Sequence, residues 1–211
     1  MDLKHIQRQL ENRTRKIMGS ENFAQFSVLL PLLEKGGETH ILFEVRSQNL
    51  RRQPGEICFP GGRIDPDDQN DRYTAIRETT EELGISESYI ENVWPLDYMV
   101  TAFGTIIYPY VGLITEPERI IPNPTEVEEI FTVPLSYFQS TKPDCYKINF
   151  NLQPEPNFPF NLIEGGKDYN WAARKVDEYF YHYEGRVIWG LTARILTHFL
   201  ELLNQKSKRG G

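Results

Sequence analysis

The stretch "FPGGRIDPDDQNDRYTAIRETTEELGI", residues 59–85, divides into a loop and a helix. Residues 60–70 combine two prolines, Gly61, Gly62 and several aspartates, which is turn chemistry. Asn70 or Asp71 is a ready N-cap for a helix from about residue 72 to Leu83, and Gly84 supplies its C-terminal stop. At about 100° per residue Glu78, Glu81 and Glu82 cluster as i, i+3 and i+4, while Ile76, Thr79 and Leu83 point to the opposite side. The pattern predicts one carboxylate face and one core face.

A solvated surface would be the ordinary fate of an acidic helix face. Here like charges three and four apart repel without lysine partners, and Arg77 is the nearby cation. Glu81 and Glu82 also sit in the last turn, where the helix dipole disfavours anions. A hard divalent cation such as Mg²⁺ reverses both costs, because it takes carboxylate oxygens as ligands. An EF-hand loop does not fit "DPDDQND": counted from Asp65, the sixth position is Asn70 rather than glycine and the twelfth is Ile76 rather than glutamate.

Outward from this segment, "FSVLLPLLE" and "THILFEVR" form a predicted β-hairpin around Gly36 and Gly37. "VWPLDYMVTAFG", "TIIYPYVGLI", "EIFTVPLSYF", "CYKINFNL" and "EYFYHYEG" are further strand-like runs. A helical period over residues 3–18 predicts an opening helix. "RVIWGLTARILTHFLELL" predicts a closing amphipathic helix carrying Ile188, Leu191, Ile195, Phe199 and Leu202 on its core face. The expected organisation is an N-terminal helix packing on the domain (1–20), one domain (21–204) and a disordered tail (205–211), of α+β class. "QPEPNFPFNLIEGG" is a proline- and glycine-punctuated loop that reads as a surface loop or a substrate wall.

The 211 residues are 39% hydrophobic, enough for one good-sized core, and the formal net charge is -7. There is no basic footprint for nucleic acid and no run long enough for a membrane span. Cys58 and Cys145, far apart in sequence, favour a reducing compartment over a disulfide framework, and the expectation is a soluble, cytoplasmic protein. The four histidines are scattered without a nucleophile in recognisable order, so nucleophilic catalysis finds no support.

Arg77, Glu78, Glu81, Glu82, Gly84 and Ile85, behind Gly61-Gly62, resemble the Nudix box G-x5-E-x7-R-E-U-x-E-E-x-G-U, where U is aliphatic. Two departures stand out: the span from Gly62 to Arg77 is one residue longer, with Asp68 near the expected glutamate, and Thr79 replaces the aliphatic residue. Upstream, Arg46, Ser47, Arg51, Gly55, Phe59, Pro60, Gly61 and Gly62 match R-S-x3-R-x3-G-x3-F-P-G-G, similar to the coenzyme A diphosphatase branch. The L-L-T that precedes it there is matched only in part, by Leu42, Phe43 and Glu44.

The resemblance implies a Nudix fold, an α/β/α sandwich with a mixed β-sheet, and Mg²⁺- or Mn²⁺-dependent hydrolysis of coenzyme A or a derivative at its diphosphate. It implies Glu78 and Glu82 as metal ligands, Glu81 as a further ligand or the general base, Arg77 as the group that orients a glutamate, and a carbonyl at Gly62 completing the metal shell. Arg46, Arg51 and Arg63 are the candidates for substrate phosphates, and Arg52 a weaker one. Glu126, Glu128 and Glu129 fall in a predicted loop that in Nudix enzymes can lend an additional carboxylate, a solvated position being the ordinary fate of any one of them. A diphosphatase of ADP-ribose or a dinucleotide, and a non-catalytic binding module, are the alternatives. A homodimer is compatible with this reading.

Overall fold

The structure, a computed structural model, describes residues 2–171 and 174–206. Its centre is β1 (Ala24–Lys35), a strand long enough to pair with three others along its length. The expected hairpin joins it to β2 (Glu38–Arg46), antiparallel, with Leu32 opposite Ile41. At its other end β1 meets the short β4 (Gly61–Arg63), which places Gly61 opposite Val28 and Gly62 opposite Ser27. Its remaining edge runs parallel to β7 (Thr105–Ile114). The eight-stranded mixed sheet is completed by β3 (Ile57–Cys58) and β8 (Val127–Pro134) on β2, and by β5 (Ile90–Pro95) and β6 (Met99–Val100) on β7.

Both faces of this sheet carry apolar side chains, so both are covered by helices. On one face α2 (Asp71–Leu83) buries Ala75, Ile76 and Leu83 against Leu29, Leu33, Leu42 and Tyr110. On the other, α4 (Gly190–Lys206) buries Ile195, Leu196 and Phe199 against Leu30, Ile41, Phe43 and Val111. Phe43, fully buried, sits 5.1 Å from Phe59 and 5.4 Å from Phe131 in stacked geometry, with Phe138 of α3 (Leu135–Ser140) at 6.0 Å. Each such ring pair adds about 0.5–1.5 kcal/mol beyond its burial. The α/β/α sandwich expected from the resemblance is the architecture found.

Four sequence expectations change. A second, three-stranded antiparallel sheet follows the main one, with β10 (Arg174–Tyr183) between β9 (Asp144–Phe150) and β11 (Arg186–Trp189). Ile188 therefore belongs to a strand, and Gly190 at φ 64° turns the chain into α4 two residues later. Helix α4 runs to Lys206, so residues 205 and 206 are helical rather than tail; residues 207–211 lie outside the described residues. The opening helix α1 covers only Leu3–Leu10 and buries none of its residues, so it does not pack on the domain as expected: its apolar side chains are too few and too short a stripe to hold it there. Among the described residues no helix is long and apolar enough to cross a membrane.

Candidate active site

Helix α2 begins and ends as the sequence predicts. The Asn70 side chain accepts a 2.8 Å hydrogen bond from the Tyr73 N–H, and Gly84 closes the helix in the left-handed region at φ 63°. The free carbonyls of its last turn are taken by an incoming loop: Ile121 N–H donates to Leu83 and Asn123 N–H to Glu82. Three residues on, the same loop presents Glu126, whose carbonyl accepts from Ser47 N–H.

The carboxylate face is not uniform. Glu82 is 5% exposed and lies inward with Thr79 and Leu83, Glu78 is half-buried, and Glu81 stands at the rim with a side chain 54% exposed. The single carboxylate face expected from 100° per residue is thus corrected: Glu82 is buried with the core side of the helix while Glu81 faces out. Glu82 Oε2 accepts a 2.7 Å hydrogen bond from the Gly61 N–H. Gly62 lies against Glu78: a Cβ there would come within 2.3–2.5 Å of the Glu78 carboxylate. The double glycine is thus the surface on which both metal-candidate glutamates rest.

Arg77 organises the other side. It forms a two-pronged pair with Asp68, Nε to Oδ1 and Nη2 to Oδ2, each 3.0 Å, and reaches Glu78 at 2.9 Å and Glu81 at 3.2 Å. Asp68 also accepts from the Asp65 N–H and the Thr74 hydroxyl; the Arg77 guanidinium first, and then these two donors, hold its carboxyl well below the usual carboxylate range. Asp68 therefore occupies the place left open by the one-residue length change: the extra residue is absorbed in the loop, and a shorter acid still meets the arginine. Among the described residues, the ion pairs of the Arg77 side chain run to Asp65, Asp68, Glu78 and Glu81.

Sequence reasoning missed Glu44. It is 1% exposed on β2, opposite Cys58 of β3, whose thiol donates to Glu44 Oε1 at 3.2 Å; Oε2 has no hydrogen-bond partner. Burial, then the charge of Glu44, push the Glu82 carboxyl upward to about 9, and burial pushes Glu44 up to about 7; Glu78 and Glu126 act on both. The signal in the sequence was an ionisable residue inside "ILFEV", where the strand is otherwise apolar. Of the acidic trio expected in a loop, only Glu126 precedes β8, and it joins this cluster; Glu128 and Glu129 are residues of the strand itself. Glu129 instead pairs with Arg186 at 2.9 Å, and Glu128 is exposed.

Arg46, at the end of β2, is partly buried and its Nε is enclosed without a hydrogen-bond partner. Arg51, Arg52 and Arg63 are exposed. Among the described residues none of the four makes an ion pair within 4 Å, so they are not consumed by "DPDD", whose Asp68 is taken by Arg77.

Among the described residues no three His, Cys, Asp or Glu side chains already converge on one point as a finished cation cage. The donor set nevertheless suits a hard cation. Four carboxylates, Glu44, Glu78, Glu82 and Glu126, act on one another electrostatically, and one buried carboxylate oxygen lacks any partner. Without a cation, protons must relieve this crowding, which gives a pH dependence. The folded state holds protons that the unfolded chain releases near the ordinary value of 4.5. Stability of the metal-free protein is therefore fully present below that value and falls as pH rises to about 9. Urea unfolding in EDTA should show a loss of roughly 2–4 kcal/mol across this window. Glu82→Gln should flatten the slope, and an unchanged slope in that variant would refute the assignment.

The NUDIX domain family matches residues 24–147. The chain belongs to the Nudix family. It is 39% identical over 145 residues to the peroxisomal coenzyme A diphosphatase of Mus musculus, covering 69% of this chain and 56% of that protein. Against the peroxisomal coenzyme A diphosphatase of Caenorhabditis elegans it is 44% identical over 121 residues, 53% of this chain and 49% of that one. The chain thus spans about half the length of these two relatives. With the uncharacterized Nudix hydrolase NudL of Photorhabdus laumondii it shares 33% identity over 84% of this chain and 83% of the other. A MutT/nudix family protein from Enterococcus faecalis superposes with a TM-score of 0.51 at 15% identity, over 97% of this chain and 70% of that one, and shares the fold.

Proposed function

We propose that this Nudix protein hydrolyses the diphosphate of coenzyme A or a derivative, with Mg²⁺ or Mn²⁺, to adenosine 3′,5′-bisphosphate and 4′-phosphopantetheine. The observation that carries this reading is Arg46: a guanidinium with an enclosed, unpartnered Nε, two residues along β2 from the buried carboxylate Glu44. A phosphate supplies both the missing acceptor and the counter-charge. Arg46 belongs to the R-S-x3-R-x3-G-x3-F-P-G-G pattern, and relatives sharing 39% and 44% identity are named coenzyme A diphosphatases. Exposed Arg51 and Arg63 flank the glycine loop and serve the 3′-phosphate.

In this reading Glu78 and Glu82 hold the cation, with the Gly62 carbonyl completing its shell, and of the two roles open to Glu81, further ligand or general base, it takes the second. When bound, a divalent cation neutralises diphosphate charge as a Lewis acid. Glu81, exposed at the rim and steadied by Arg77, accepts the proton of the attacking water. A new oxygen–phosphorus bond forms as the bridging bond breaks, and the electron pair leaves with the departing phosphate. The cytoplasm remains the proposed compartment, supported by free Cys58 and Cys145; the relatives named peroxisomal make fractionation of the tagged protein its check.

The test compares coenzyme A with 3′-dephospho-coenzyme A in Mg²⁺ or Mn²⁺, with products resolved by mass. Coenzyme A is expected to be cleaved at the diphosphate. Loss of the 3′-phosphate should lower kcat/KM by about 10- to 100-fold, the worth of a charge-assisted hydrogen bond or two. Cleavage of ADP-ribose but not coenzyme A overturns the substrate assignment. Metal binding without cleavage of either makes the protein a binding module.

A further inference from the structure

Glu44 lies outside the Nudix box, where the upstream branch pattern has threonine, and the proposed chemistry assigns it no role although it stands in the carboxylate cluster. A carboxylate 1% exposed is costly unless its oxygens are engaged, yet only one is: Oε1 accepts from Cys58, and Oε2 is enclosed with no partner. Backbone pairing fixes its place. Strand β3 lies antiparallel to β2 with Cys58 opposite Glu44, and the chain then runs through Phe59 and Pro60 to the Gly61 N–H that holds Glu82. Glu44 is thereby a near neighbour of Glu82, whose charge environment it dominates, and of Glu78 and Glu126. Arg46 acts on Glu44 by its charge, but its Nε donates to no protein acceptor and the free oxygen stays unsatisfied.

We propose that Glu44 is an additional ligand of the divalent cation, its unpartnered oxygen reaching from β2 the ion held by Glu82 and Glu78 of α2. This rests on the reading of the carboxylate cluster as a hydrolytic metal centre. The ion is then clamped between a strand and a helix rather than carried by the helix alone, and Cys58 fixes the orientation of the carboxylate by its thiol hydrogen bond. The role belongs to this chain's own glutamate: a threonine at the same place offers a neutral, shorter oxygen.

Mn²⁺ alone, titrated calorimetrically into metal-free wild type, Glu44→Gln and Glu44→Thr, tests the idea without substrate. Affinity in both variants is expected to fall about 10- to 100-fold, at least the range seen for residues that merely support a ligand. Thermal unfolding gives an independent readout. In EDTA Glu44→Gln should unfold at the same temperature as wild type or higher, because a crowded buried charge has gone, while the rise on adding Mn²⁺ should shrink. Unchanged Mn²⁺ affinity in Glu44→Gln overturns the proposal, as does a variant less stable in EDTA with a full Mn²⁺ response, which marks a purely structural carboxylate. If Glu44→Gln does not fold, Glu44→Thr carries the same comparison. Failure of the functional reading looks different: wild type binds Mn²⁺ in a Glu44-dependent way but leaves coenzyme A intact.

Discussion

Glu82→Gln is expected to reduce turnover about 10³-fold while leaving the protein folded and at least as stable in metal-free buffer. The carboxylate is 5% exposed and crowded by Glu44 and Glu78, and the Gly61 N–H bonds its Oε2 at 2.7 Å. An amide keeps the shape, and its carbonyl can still accept that hydrogen bond, but it removes the charge that a cation needs. Electrostatic stabilisation by a metal is worth several kcal/mol, and each 1.36 kcal/mol is a factor of about ten in rate. Rates from single-turnover assays alongside urea unfolding separate the two quantities. Equal loss of rate and stability would make Glu82 a structural residue. An active variant would remove it from the metal site.

Gly61→Ala should be the most damaging small substitution in the loop, costing about 3–4 kcal/mol of stability. The added Cβ would lie 2.4 Å from the Ser27 carbonyl oxygen and 2.6 Å from Val28 Cα, both backbone atoms of the central strand β1, and φ at 154° is unfavourable for an L side chain. Backbone strain and overpacking each contribute roughly 1–3 kcal/mol. The neighbouring Gly62→Ala is a contrast, because its Cβ meets only the flexible end of Glu78, which can swing aside. Chemical unfolding of the two variants should therefore separate, with Gly61→Ala far less stable and Gly62→Ala near wild type. Equal midpoints would show that β1 yields more easily than its pairing with β2, β4 and β7 implies.

How much of this could be read in the residues depended on how local the cause was. Helix α2 was legible because its N-cap, apolar period and closing glycine lie within fifteen residues or so of each other. So was the hairpin around Gly36-Gly37. Glu44 was not: the helix whose carboxylates crowd it begins 27 residues later, at Asp71, and alternation along a strand cannot tell an inward charge from an outward one. The Asp68–Arg77 pair was obscured by loop length, which shifts register without changing what meets in space. Ile188 looked helical because strand β11 passes into α4 across one glycine, and an apolar residue at the junction satisfies both periods. The exposed helix α1 shows the opposite error, a helical pattern with nothing on the domain to receive it.

The ten-residue connection from Ser47 to Glu56 carries Arg51 and Arg52, yet it is pinned at its mouth. Arg46 N–H bonds the Glu56 carbonyl, Gly55 N–H bonds the Arg46 carbonyl, and Ser47 N–H bonds Glu126. Its tip is therefore free to vary in composition while the two ends keep the strands, and the glutamates beyond them, in register. On the proposed assignment of Arg51 to a substrate phosphate, substrate choice and bond-breaking chemistry would be inherited separately, and a lineage could exchange one customer molecule for another by editing the loop's tip without rebuilding the machine beneath it.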